Sequence, residues 1–239
     1  MTSPANSPLS LPEAAALPRL PEDVLGPLNP EERRNAPKAL FVVGHDEWLR
    51  EGVRVAIVGS RKASPEGLKR AAKLARYLVS KDIAVVSGLA EGIDHAAHTA
   101  TIEANGRTIA VIGTPLSAAY PAKHRALQAR LMQDHLVVSQ FPVGYPTTRQ
   151  NFPLRNRTMA LISHASVIVE AGEGSGSLSQ GWEALRLGRP LFLMASIFDH
   201  AELTWPRQML DYGAMVLTEP DELMARLPES VDDPLAIFA

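Results

Sequence analysis

Arg54-Val55-Ala56-Ile57-Val58-Gly59-Ser60-Arg61 is the stretch that decides the fold of this chain. Its four residues Val55 to Val58 are all apolar, with no polar alternation, which marks a strand covered on both faces. The run ends in a glycine, a serine and an arginine, so the strand feeds a tight turn. The same pattern recurs at Ile83–Val86, Thr108–Ile112, Leu136–Val138, Val167–Val169, Leu191–Met194 and Met215–Leu217. Segments of helical periodicity separate these runs, such as Leu68, Ala71, Ala72, Ala75 and Leu78, or Trp182, Leu185 and Leu187. Alternating buried strands and helices predict an α/β fold: a doubly wound, mostly parallel, Rossmann-like sheet with helices on both faces. Leu40–Val43, closed by Gly44, is expected as an edge strand.

The 239 residues suit one large domain with short appendages. Eight of the 19 prolines fall within residues 1–37, which leaves room only for short helical turns and predicts a loosely ordered arm that packs on the core late in its length. Residues 38–228 are expected to form the Rossmann-like domain, and residues 229–239 a short acidic tail. No apolar run approaches the roughly 20 residues of a membrane span, and the start lacks the charge pattern of a secretory signal. A cytoplasmic protein without membrane contact is therefore expected. The absence of cysteine excludes disulfides, thiolate metal sites and cysteine nucleophiles.

Charge is unevenly placed. Residues 52–198 hold 17 Lys and Arg against 9 Asp and Glu, a net +8, while residues 1–51 carry −3 and residues 199–239 carry −7. A basic middle suits a polyanion-binding surface. A solvated helix face is the alternative, since Lys69, Arg70, Lys73 and Arg76 fit one side of an amphipathic helix.

In a doubly wound sheet ligands bind beyond the carboxyl ends of the strands. There the sequence places Gly59-Ser60-Arg61, Ser87-Gly88, Gly113-Thr114-Pro115, Ser139-Gln140 and Glu170 through Ser177. Small residues let an anion approach backbone N–H groups, and helix starts add partial positive charge. Phe152-Pro153-Leu154-Arg155-Asn156-Arg157 opens a helix with two arginines. Cations there oppose the helix dipole, which points to an anion between them. Phe152 suits either base stacking or a core plug under the loop, and Arg61 either a phosphate or a helix carboxylate. Gly174-Ser175-Gly176-Ser177 makes an anion cradle or simply a capped helix. No Gly-Lys-Ser/Thr loop and no dinucleotide fingerprint occurs, so no cofactor is expected. Asp94 and His98 share a helix face without a third ligand, so no metal is expected either.

Taken in order, these loops resemble the DNA-processing protein A (DprA/Smf) family. The resemblance is carried by Val55 through Arg61, Ser87 through Asp94 with Ala97-His98, and Gly106 through Val111. It continues through Tyr120-Pro121, Phe152 through Arg157, Val169 through Ala171 and Ser175 through Leu178. It implies a Rossmann-like homodimer that binds single-stranded DNA in a basic pocket, protects it, and hands it to the RecA recombinase in natural transformation. Arg61, Arg155, Asn156 and Arg157 would then contact the DNA backbone. Gly59, Ser60, Ser87, Gly88, Phe152, Ser175, Gly176 and Ser177 would shape the pocket. Partner contacts would fall within Trp205 to Leu227. The chain departs from the family pattern at Ser139-Gln140, Ser179-Gln180-Gly181 and Ala195-Ser196, and no winged-helix segment is read after Leu227.

A second reading is a nucleotide-binding sensor or a nucleoside-monophosphate phosphoribohydrolase of the related lysine-decarboxylase-like fold. Such enzymes need a glutamate in the region where Ser179 and Gln180 stand, leaving only Glu170 and Glu183 as substitutes. The expectation is a protein that binds and does not catalyse.

Overall fold

The computed structural model describes residues 9–228. The expected acidic tail lies outside the described residues. Among the described residues eight strands form one sheet: β1 (Phe41–Gly44), β2 (Arg54–Val58), β3 (Ala84–Ser87), β4 (Thr108–Ile112), β5 (Leu136–Ser139), β6 (Ala165–Ile168), β7 (Leu191–Met194) and β8 (Met215–Leu217). Their order is β1-β5-β4-β3-β2-β6-β7-β8. Every pairing is parallel except β1 with β5, where Phe41 faces Ser139. The mostly parallel α/β sheet expected from the apolar runs is the one observed, and Leu40–Val43 does become an edge strand. β6 begins two residues before its predicted run, because Ala165 and Ser166 pair with Val55 and Ala56.

Helices cover both faces. In β2, Val55 and Ile57 point to one side and Ala56 and Val58 to the other, all fully or almost fully buried. The first side meets α3 (Pro65–Ser80) and α4 (Ile93–Glu103) through Ala71, Leu74, Ala75, Leu78, Ile93 and Ala97. Each of those leucines contributes about 1.5–3 kcal/mol by leaving water. Leu68 was expected on this face but lies on the exposed side. The second side meets α6 (Asn151–Ile162) through Met159 and Ile162, and α7 (Gly176–Arg186) through Leu178 and Trp182. The shorter α5 (Arg125–Asp134) covers β5 and β1, and α8 (Trp205–Asp211) buries Trp205 and Met209. Ahead of the sheet, α1 (Pro21–Leu25) inserts Val24 into the core and α2 (Pro30–Asn35) packs on α6.

The strand order fixes where a ligand can enter. From β2 the chain winds outward through β3, β4 and β5, then returns past β2 to lay down β6, β7 and β8. The loops leaving β2 and β6 therefore diverge, opening a crevice between them at the carboxyl edge.

Candidate functional site

That crevice exists as a cleft of about 760 Å³. Its walls are the β2–α3 loop (Gly59, Ser60, Arg61, Lys62), the start of α6 (Phe152, Pro153, Arg155, Asn156) and the loop into α7 (Gly172 through Ser177). Tyr120 and Arg149 close its outer side. Arg61, Lys62 and Arg149 are exposed, and none forms an ion pair among the described residues. Phe152 is half-buried. It packs against Gly113, where an added Cβ would come within 2.8 Å of its ring. Tyr120 lies 5.1 Å from the Phe152 ring centre, and the Arg61 guanidinium lies 5.3 Å from it. A cation and two aromatic rings thus meet at one lip.

Local rules explain how this lip is held. Ser60 N–H donates to the Glu170 carbonyl at 2.6 Å, tying the two diverging loops together. Gly92, at φ +71°, lets the loop before α4 pass under the Ser60 carbonyl, where any side chain would collide. Asn156 Nδ2 donates to the Gly176 carbonyl at 3.0 Å and so fixes the start of α7 against α6. Ser175 caps α7 by accepting from Ser177 N–H. The first turns of α6 and α7 both open into the cleft, each presenting N–H groups and the positive end of a dipole.

Arg155 is placed otherwise than the sequence suggests. It is buried, and its Nη1 donates to the carbonyls of Gly88 at 2.5 Å and Val111 at 2.8 Å, while Nε donates to Asn156 Oδ1 at 2.9 Å. Asp94 faces it across Gly88, whose missing side chain makes the approach possible. Burial raises the Asp94 pKa and lowers that of Arg155, and their mutual attraction opposes both shifts. Arg155 therefore ties α6 to the ends of β3 and β4, and its guanidinium has little left to offer a phosphate. Ser87 is buried as well, donating to the Ile57 carbonyl at 2.7 Å. Arg157 lies outside the cleft, with Nε 3.5 Å from Glu183 Oε1 on α7.

Of the residues singled out from sequence, the structure gathers Gly59, Ser60, Arg61, Phe152, Arg155, Asn156, Ser175, Gly176 and Ser177 around one cleft. Ser87 and Gly88 support it from beneath, and Arg157 stands apart. Sequence reasoning missed Lys62, Arg149 and the contact of Tyr120. Lys62 follows Arg61 directly and could have been noticed; Arg149 lies in a loop with no periodicity to place it. His98 is buried on α4, its Nδ1 2.7 Å from Thr108 Oγ1, and burial pushes its pKa down to about 3.

The carboxylates required by the enzymatic reading are engaged elsewhere. Glu170 accepts from Ser64 N–H at 2.8 Å and from its hydroxyl at 2.5 Å, which anchors the start of α3. Glu183 pairs with Arg186 and Arg157 away from the cleft. Gln180, which lines the cleft, is an amide and cannot relay a proton as a carboxyl group does.

Comparison with known proteins shows the family and the fold. The model of the family described as DNA recombination-mediator protein A matches residues 21–228. The chain belongs to this family. Protein Smf of Escherichia coli is 36% identical over 192 residues, covering 80% of this chain and 51% of that protein. The chain therefore spans about half the length of that relative. The crystal structure of DNA processing protein A from Streptococcus pneumoniae superposes with a TM-score of 0.75 at 33% identity, covering 84% of this chain and 71% of that one. DNA processing protein A from Helicobacter pylori, described for its single-stranded DNA binding mode, superposes with a TM-score of 0.72 at 26% identity. That match covers 83% of this chain and 92% of the Helicobacter chain. No helix of the described residues is long and apolar enough to cross a membrane.

Proposed function

We propose that this recombination-mediator family member binds single-stranded DNA in the cleft between β2 and β6, protects it, and delivers it to the RecA recombinase. The observation that carries the proposal is the lip itself: three cations without an ion pair among the described residues, Arg61, Lys62 and Arg149, surround the half-buried Phe152 and its neighbour Tyr120. Cations that follow a backbone, beside rings on which bases can stack, form the general recipe for sequence-tolerant binding of single strands. Duplex DNA keeps its bases stacked away from such rings. Arg61, Lys62 and Arg149 hold the phosphates in this reading, with the starts of α6 and α7 as neutral donors. Asn156 and Arg155 position those helices.

The test is fluorescence anisotropy with single-stranded and duplex oligonucleotides across a salt series. Three phosphate contacts predict a slope of about −2 in log affinity against log salt, at about −0.7 per contact. Equal affinity for duplex, or an affinity indifferent to salt, would remove the cleft from consideration. Handover to RecA and homodimer formation belong to the same proposal. They are supported by the edge position of β8 in the sheet of the described residues, its exposed Val216, and the exposed Tyr212 and Met224. Sedimentation equilibrium reads the dimer. Co-sedimentation of RecA with the DNA-bound protein reads the handover, and its absence would strike RecA from the proposal while leaving DNA binding in place.

A further inference from the structure

The outer face of α3 carries four cations that do not line the cleft, Lys69, Arg70, Lys73 and Arg76. Lys69 pairs with Glu66 at 2.9 Å, but among the described residues Lys73 and Arg76 have neither ion pair nor hydrogen bond, and Arg70 feels Glu66 without pairing to it. Like charges three and four residues apart destabilise a helix. A solvated face would tolerate them, so charge alone decides nothing.

Geometry does. A second depression of about 450 Å³ shares Ser60, Lys62 and Gly172 with the cleft and has Arg70 on its wall. A third, of about 220 Å³, shares Arg70 and Ser196 with the second and is lined by Lys73. The three hollows make one continuous path from Arg61 over the start of α3 to Lys73, with Arg76 one turn beyond. Of the acidic groups on the near wall, Glu66 is paired with Lys69, while Glu170 accepts from Ser64 and keeps its charge. Asp199 and Glu202 stand on the opposite wall, and Glu202 pairs with His200 at 3.3 Å. Attraction on one side and repulsion on the other would hold a polyanion against α3. Arg70 to Arg76 spans about 9 Å of helix at 1.5 Å per residue. That span, widened by the reach of the side chains, suits two or three successive phosphates of a single strand.

We infer that a single-stranded nucleic acid leaving the cleft runs along α3, its phosphates held by Arg70, Lys73 and Arg76. This inference rests on the cleft being the primary site. The test measures anisotropy of the whole chain with labelled deoxythymidine oligonucleotides of about 6 and about 20 nucleotides, within the site sizes of single-strand binders and beyond them. The triple variant Arg70→Gln, Lys73→Gln, Arg76→Gln should leave the short strand within twofold. It should weaken the long strand about tenfold and flatten its salt slope by about 2. Arg61→Ala should weaken both lengths. A triple variant silent on the long strand, beside a damaging Arg61→Ala, overturns the α3 path alone. A silent Arg61→Ala overturns the cleft and the continuous path with it. Equal loss at both lengths in the triple variant overturns the path as an extension, because the short strand should not reach it. Thermal melting of the triple variant is expected at the wild-type temperature, since these side chains point outward.

Discussion

Strand β2 begins at one arginine and its outgoing loop carries another, and the two behave as different chemical species. At the amino end, Arg54 is buried and donates to the carbonyls of Ile162 at 2.8 Å and Gly52 at 3.0 Å. Burial pushes its pKa down to about 9, with Arg189 and Arg107 repelling it further. Its neighbour Arg189 is held by the buried Glu32 of α2 at 2.6 Å. Beyond the carboxyl end, Arg61 is exposed and makes no ion pair. The strand and its outgoing loop thus carry a scaffold cation and a cation that, in the proposed function, faces the ligand. What separates them is whether internal acceptors already satisfy the guanidinium. Arg155 shows that position alone does not decide: it sits at the carboxyl edge, yet its donors are filled by Gly88 and Val111 as those of Arg54 are by Ile162 and Gly52.

The sharpest way to break this contrast is at the scaffold end. Glu32→Gln leaves Arg189 buried without its carboxylate, next to an already destabilised Arg54. Breaking one side of a buried pair costs about 3–5 kcal/mol, a large share of a typical stability of about 5–15 kcal/mol. Urea unfolding should show that loss, while DNA affinity per folded molecule stays unchanged. A loss below about 1 kcal/mol would mean that the amino-end cations need no counter-charge.

At the ligand-facing end the pattern should invert. Arg61→Ala with Lys62→Ala removes two charge-assisted contacts, worth about 1.5–3 kcal/mol each, so single-stranded DNA affinity should fall a hundredfold or more. Unfolding free energy should move by no more than about 1 kcal/mol, because neither side chain forms an ion pair among the described residues and Arg61 gives up only an exposed contact with the Phe152 ring. The salt slope should drop by about 1.4. A variant that lost stability but kept affinity would exchange the roles of the two ends.

How much of this was legible follows from the same contrast. The strands could be read because parallel strands buried on both faces leave uninterrupted apolar runs, and Val55–Val58 is one. Arg61 could be placed because it follows such a run directly. The pair Arg155 and Arg157 misleads because the two are adjacent on paper. At 3.6 residues per turn they point about 200° apart, so both cannot face one cleft. Arg189 and Glu32 are 157 positions apart, and no local pattern announces their contact. Periodicity reports a side chain's face; it is silent on which acceptors wait there.

Acid should expose a further difference between buried and exposed groups. Burial lowers the pKa of His98 to about 3 and that of His164, beside Arg54, to about 2. In the unfolded chain both titrate near 6.5. Below that value the unfolded state binds protons that the folded state refuses, so their contribution is complete above about pH 6.5 and is lost as pH falls towards 3. Each should remove about 1.4 kcal/mol per pH unit in that window, partly offset by Asp94, whose raised pKa acts in the opposite sense. Unfolding by urea at pH 7.5 and pH 5.5 reads the net slope, and His164→Asn should reduce it. A flat profile would show that both imidazoles accept protons inside the fold.

The smallest effect is expected where a cation is neither scaffold nor ligand-facing. Arg157 is 42% exposed, lies off the cleft, and has Glu183 near its Nε at 3.5 Å. That pair is loose and partly solvated, so it contributes about 1 kcal/mol or less. Glu183 keeps Arg186 as a partner if Arg157 is removed, which leaves no stranded charge. Arg157→Ala should therefore change single-stranded DNA affinity by less than twofold and stability by about 0.5 kcal/mol or less. Anisotropy and urea unfolding of this one variant, read beside Arg61→Ala, measure how far the basic surface reaches around α6. A tenfold loss of affinity would bring the far side of that helix into contact with the strand, and a loose partner such as Glu183 would then be no bar to gripping a phosphate.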